Sequence, residues 1–294
     1  MTTVSAPRPS GSGSNTTPAQ KRNWLAEIRT AVKPRPTAAV FYGVPGVGKT
    51  SFAANAPGAG FLTDDKEDGI TTLKANGLVS ASIPQLPSAK SWLDVTGILD
   101  ALATGDHAIK TLVVDALGGV ERLCHEEVCR RDYKNDWGER GFGSYQKGFD
   151  TALADWRLLI NAFDRLRDER QMGIIILAHA RVSTFKNPEG ADYDRYAPDV
   201  HAKTWALTHK WADIVGFMNF YTVVEGGNST RKGKASGGQQ RILYTEHHAT
   251  YEAKNRHGLP TEIDLGSNAA EGWNNFAAAM KAARANNTTN EQGA

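Results

Sequence analysis

Residues 43–50 read Gly43-Val44-Pro45-Gly46-Val47-Gly48-Lys49-Thr50, a complete G-x-x-x-x-G-K-T pattern continued by Ser51. Each residue type has a physical reason to be there. Glycines let backbone N–H groups turn inward around a phosphate, Lys49 neutralises β- and γ-phosphate oxygens, and a Thr50 hydroxyl can ligate Mg²⁺. A Gly-rich turn with an exposed lysine would match the same letters. The flanks favour the phosphate loop: Thr37–Tyr42 (TAAVFY) has the composition of a buried strand, and a helix is expected from Lys49 to about Asn55. Gly43 to Ser51 are therefore the candidate ATP-binding residues, Lys49 also a catalytic one.

Working away from the loop, a metal held at Thr50 needs an acid on a second strand. Thr111-Leu112-Val113-Val114-Asp115 supplies one, an apolar strand ending in a carboxylate. Asp115 is the second candidate Mg²⁺ ligand, although an Asp before Ala116-Leu117 could instead cap a helix. Hydrolysis also needs a group that orients water. Thr63-Asp64-Asp65-Lys66-Glu67-Asp68-Gly69 crowds four carboxylates after a short strand, so these acids are solvated or lie near a cation. Glu67 is the preferred water-activating base, then Asp64 or Asp65; a plain acidic turn competes. A further apolar strand, Gly173–Ala178, is followed by His179, which would face the same crevice as a γ-phosphate sensor unless it is a satisfied core histidine.

The rest of the chain alternates in the same way. A short helix is expected over 23–31, helices over 91–103, 117–131, 149–170 and 201–211, then a β-rich stretch. That stretch comprises 214–224, a Gly/Ser/Lys/Arg loop at 226–240, 242–246 and 251–254. Strands apolar on both faces imply a mostly parallel sheet with helices on both sides and a late β-hairpin, an α/β class fold. Residues 1–22 are expected to be a disordered basic tail, 23–266 one ATPase core, and 267–294 a C-terminal helix and flexible tail. There is no internal repeat.

Composition narrows the class further. The 294 residues are 40 % hydrophobic and 22 % charged, enough for a sizeable core. No apolar run exceeds five residues, so no membrane span is expected, and the start lacks the apolar region of a secretory signal. Cys124 and Cys129 form no disulfide framework, and with His125 they have no zinc spacing, which points to structural residues in a reducing, cytoplasmic setting. The net charge of +2 argues neither for nor against nucleic acid. Basic stretches at 8–35 and 231–241 could touch phosphates or simply be solvated.

Downstream stands Tyr251-Glu252-Ala253-Lys254-Asn255-Arg256-His257-Gly258. Lys254 and Arg256, one residue apart in extended chain, point to one face and together call for an anion; a charged edge strand is the alternative. The order of phosphate loop, acid after the second strand, Asp-ended third strand, polar-tipped fourth strand and late hairpin resembles the RecA-like P-loop NTPase core. It is especially similar to the short phage-encoded recombinase-like proteins that bind and anneal single-stranded DNA. The Lys-Asn-Arg-x-Gly element resembles one in RadA and, as Lys-x-Arg, in DnaB-type helicases. The resemblance implies that Lys254 and Arg256 reach the γ-phosphate held by a neighbouring subunit, in a ring or filament of identical chains. It departs at His179, where RecA has glutamine, and the long extra domain of a replicative helicase is not expected here, which argues against that branch.

The implied partner is single-stranded DNA, with a single-strand-binding protein as a further one. Two segments are candidates for contact: 133–149, with Tyr133, Trp137, Phe142, Tyr145 and Phe149 among glycines, Arg140 and Lys147; and 181–199, with Phe185, Lys186, Tyr193, Arg195 and Tyr196. Minor-core covers are the alternative for both. The expected activity is a Mg-dependent, DNA-stimulated ATPase acting in host cytoplasm if phage-encoded. A nucleotide-gated, non-catalytic replication-assembly module and a P-loop small-molecule kinase are the alternatives.

Overall fold

The computed structural model describes residues 24–28, 34–225 and 234–291. The chain divides into two units, residues 1–34 and 35–294. What is described of the first is one 3₁₀ turn, Trp24–Glu27, shorter than the helix expected over 23–31. The tail expected over 1–22 lies outside the described residues, as do Arg231 and Lys232.

The second unit is built on β1 (Ala38–Gly43), which is buried along its whole length. Its side chains alternate between two cores, Val40 and Tyr42 on one face and Ala39 and Phe41 on the other. An apolar run buried on both sides is what a central parallel strand requires. β2 (Ala59–Thr63), β3 (Thr111–Asp115) and β4 (Gly173–Phe185) lie to one side of it and β6 (Ile214–Glu225) to the other. The sheet order is β2-β3-β4-β1-β6-β7-β9, parallel from β2 to β6. Antiparallel β7 (Lys234–Tyr244) and β9 (Glu262–Asp264) complete that edge.

Helices α3 (Trp92–Thr104), α4 (Leu117–Tyr133), α5 (Lys147–Glu169) and α6 (Ala202–Trp211) cover one face. α3 begins in a full capping box between Ser91 and Asp94, which satisfies donors that would otherwise end unpaired. On the other face α1 (Lys49–Ala53) and α7 (Ala269–Glu291) meet through Phe52, Trp273 and Phe276. The α/β layout, the parallel sheet and the late β6–β7 hairpin all follow the sequence reading. No helix among the described residues is long and apolar enough to cross a membrane.

Three strand segments depart from expectation. The segment 181–199 is not an open loop: β4 continues to Phe185 and pairs antiparallel with β5 (Tyr193–Pro198). β7 begins at Lys234, inside the loop expected over 226–240, with Gly237 and Gly238 at positive φ beside a register shift. The strand expected over 251–254 shrinks to β8 (Lys254–Asn255), paired with β6. In each case the segment carries no run of apolar residues, so pairing rather than burial defines it. A short helix, α2 (Gly69–Ala75), was not expected and buries Ile70 alone.

Candidate functional site

β4 lies between β1 and β3, so three strand tips end side by side. Gly43 at the end of β1 is opposite His179, and Asp115 at the end of β3 is opposite Leu177. The loop leaving β1 turns through Gly46 (φ 77°) and Gly48 (φ 93°), left-handed conformations that favour glycine. Gly43 is fixed for another reason: a Cβ there would stand 2.2 Å from the Met218 carbonyl oxygen on β6.

Lys49 is nearly buried, and its ammonium donates to the carbonyls of Gly43 (2.9 Å) and Val44 (3.1 Å). Burial lowers its pKa while Asp115 and Glu67 act in the opposite direction. Thr50 Oγ1 donates to Asp115 Oδ2 at 2.8 Å, which joins the first and third strand tips. Burial raises the Asp115 pKa, and Glu67 adds to the rise against the Thr50 hydrogen bond, His179 and Lys49. A hydroxyl and a carboxylate side by side are hard oxygen ligands of the kind magnesium takes beside nucleotide phosphates. The donor set therefore fits Mg-ATP: Thr50 and Asp115 for the metal, Lys49 and the 43–51 loop for phosphate.

The acidic segment after β2 resolves into four different environments. Asp64 is fully buried and accepts from Arg122 Nη2 (3.1 Å) and the Lys66 amide (2.7 Å). Asp65 accepts from the same Arg122 nitrogen at 2.8 Å. Asp68 caps α2, taking the Thr71 amide and hydroxyl. Glu67 is half-exposed and its Oε2 lies 3.2 Å from His179 Nε2. His179 is itself 46 % exposed, so it is not a core histidine. Glu67, His179, Asp64, Gly119, Arg122 and Asp199 line one cleft of about 350 Å³.

Lys254 and Arg256 sit apart from this cluster, at the C-terminal end of α6. Lys254 Nζ donates to three carbonyls there, those of His209 (2.7 Å), Lys210 (3.0 Å) and Ala212 (2.7 Å). Arg256, about half-exposed, donates to the Lys210 carbonyl and lies 3.7 Å from Asp213. The shared anion anticipated for the pair is met within the chain by the negative end of a helix. The N-terminal end of α6 is held as well: the Glu121 carboxylate on α4 takes the His201 amide at 2.9 and 3.0 Å.

The aromatic segments divide by exposure. In 133–149, Phe142 is buried and Tyr133 donates or accepts with Thr151, whereas Trp137 is half-exposed and Tyr145 is 92 % exposed. Tyr145 (φ 44°) and Gln146 (φ 60°) hold left-handed backbone, which is costly for side chains of that size. In the β4–β5 hairpin Arg195 lies over the Phe185 ring and pairs with Glu252, while Tyr196 stacks on Phe217. Cys124 and Cys129 are buried free thiols, and no cluster among the described residues could hold a metal through three His, Cys, Asp or Glu side chains.

Arg122 was not foreseen. Its spacing to Glu126 looks like an ordinary helix-surface pair, and only the fold shows that it also reaches across to residues 64 and 65. A family model described as an AAA domain matches residues 35–257, a span that contains every element of the site. No curated protein matches the chain.

Proposed function

The chain belongs to the AAA-domain family and is a nucleotide-binding P-loop ATPase; on that premise we propose that it hydrolyses Mg-ATP while assembled on single-stranded DNA, in a RecA-like recombination or annealing role in the cytoplasm. One observation carries the hydrolytic part of this reading: Glu67 is the single acid of its segment directed at His179, beside the tips that hold Lys49, Thr50 and Asp115.

In this scheme Lys49 and the 43–51 loop bind the β- and γ-phosphates, and Asp115 with Thr50 holds magnesium. When bound, magnesium supplies charge neutralisation on the phosphate oxygens. Glu67 orients a water and takes its proton as the water oxygen bonds to the γ-phosphorus. The bond from that phosphorus to the bridging oxygen breaks, giving ADP and phosphate. His179 holds Glu67 and reports the state of the γ-phosphate to the β4–β5 hairpin, which continues from the same strand. Tyr145 and Trp137 offer exposed rings for base stacking, with Arg140 and Lys147 beside them for the backbone. Arg256, just past the strand that Lys254 sets against α6, acts on the nucleotide of a neighbouring copy, so the assembly is head-to-tail, a ring or a filament. A single-strand-binding protein is the natural further partner of such an assembly.

The test is ATP turnover with and without single-stranded DNA, in the parent and in Glu67→Gln. DNA should raise parental turnover. Glu67→Gln should keep ATP affinity and lose turnover by roughly 10²–10⁴-fold, the range of a general base. Turnover indifferent to DNA would favour a small-molecule kinase, and binding without turnover a nucleotide-gated module. Undiminished turnover in Glu67→Gln would move the base role to Asp64 or Asp65.

A further inference from the structure

The Glu67 side chain is half-exposed on a short segment between β2 and α2, and an acid that orients water cannot be free to swing. What fixes this segment is visible three residues upstream. Asp64 is fully buried, and one guanidinium, that of Arg122, bonds both Asp64 and Asp65 through Nη2 and Glu126 through Nη1 (2.9 Å). Arg122 therefore ties the acidic segment to α4, the helix that starts two residues after Asp115.

The sequence of α4 makes room for this tie. Its first turn contains Gly118 and Gly119, poor helix formers whose cost needs a reason. A Cβ at Gly119 would lie 1.6 Å from Asp64 Oδ2, so any side chain there would push the carboxylate off the helix. Asp64 Oδ2 is buried without a hydrogen-bond partner, so the charge on this carboxylate is balanced from one side, by Arg122 and the Lys66 amide at Oδ1. A buried carboxylate with one cationic partner makes that partner hard to replace.

We propose that Arg122 is a positioning residue for hydrolysis: through Asp64 and Asp65 it holds the segment that aims Glu67 at the γ-phosphate side of the site. Arg122 touches no nucleotide in this scheme and acts through Glu67 alone. The proposal rests on the reading of Glu67 as the water-orienting base. Arginine rather than lysine is needed because a planar fork can bond carboxylates on two elements in fixed directions, whereas an ammonium is a point charge.

A double-mutant cycle on the full chain tests this, with single-turnover ATP hydrolysis, KM for Mg-ATP and thermal melting as readouts. Arg122→Gln should lower kcat about 10²-fold, the scale of a misplaced catalytic group, with KM unchanged within about twofold. Arg122→Lys should recover only a small part of the loss. In a Glu67→Gln background the Arg122→Gln change should have no further effect on kcat, because the group it positions is gone. Asp65→Asn, which removes one exposed arm of the tie and leaves the buried Asp64 pair in place, covers the case in which Arg122→Gln does not fold. It should lower kcat about tenfold with Glu67 present and not at all in its absence. Losses that multiply with that of Glu67→Gln, a parallel rise in KM, or full activity in Arg122→Gln would each overturn the proposal. If Glu67→Gln itself keeps full turnover, the fault lies in the reading of Glu67, and the cycle shows it separately.

Discussion

His125 shows how a single side chain ties stability to pH in this protein. It lies on α4 in contact with Phe142, Phe149 and His201, and burial, helped by the neighbouring His201, pulls its pKa down to about 4. A histidine kept neutral by the fold gives its full stability above the unfolded pKa of about 6.5. That stability is lost as pH falls from there through the folded value, because the unfolded chain takes up the proton first. Between pH 7 and pH 5 the loss from this group should be about 2 kcal/mol. His125→Phe keeps a ring in the aromatic nest and removes the proton site. Urea denaturation at the two pH values should show a smaller acid loss in the variant by about that amount; an identical loss in both proteins would place the acid sensitivity elsewhere.

α6 is an element gripped at both ends, by Glu121 at its start and by Lys254 at its finish. Lys254 gives its three N–H groups to carbonyls that the end of a helix leaves unpaired. Lys254→Ala should therefore destabilise the protein by about 1 kcal/mol, roughly 2–4 °C in Tm. Arg256→Ala, with one carbonyl contact and a longer ion pair, should cost less stability and more activity. Equal Tm in Lys254→Ala and parent, with turnover lost, would make Lys254 a group that acts on a neighbouring copy's phosphate rather than a cap.

The legibility of elements followed their burial. β1, β3 and β4 were readable because Ala38–Tyr42, Leu112–Val114 and Ile174–Ala178 are apolar on both faces. The β4–β5 hairpin was not, because Val182, Thr184 and Tyr193 belong to a two-sided ribbon outside the core. α2 buries one residue, too few for a helical stripe. The phosphate loop, Asp115 and Glu67 could be picked out by type and order. That Glu67 meets His179, and that Asp64 and Asp65 are held by Arg122, could not, since those contacts join residues 112 and 57–58 positions apart.

For the whole molecule, the question is whether one chain makes a complete site. Arg256 lies at the C-terminal end of α6 and not in the Lys49, Thr50, Asp115, Glu67 and His179 cluster. If it serves a neighbouring copy, Arg256→Ala should lose most turnover while ATP binding by the protomer changes little. Mixing it with a Lys49→Ala chain should restore part of the activity, since an intact phosphate loop from one can meet an intact arginine from the other. Specific activity should also rise with protein concentration. No rescue and no concentration dependence would mean a site completed within one chain.

The place of β4 between β1 and β3 also governs the order in which the newborn chain can fold. β1 finds its partners only when residues 174–179 and 214–218 have been made, so the ribosome must add about 130 residues after β1 before its first edge is covered. At roughly 5–20 residues per second that is about 7–26 s during which Ala-Ala-Val-Phe-Tyr has left synthesis as an uncovered, apolar, aggregation-prone edge. The same interval keeps Lys49 apart from His179, so on the proposed scheme a nascent chain would consume no ATP before most of its sheet exists.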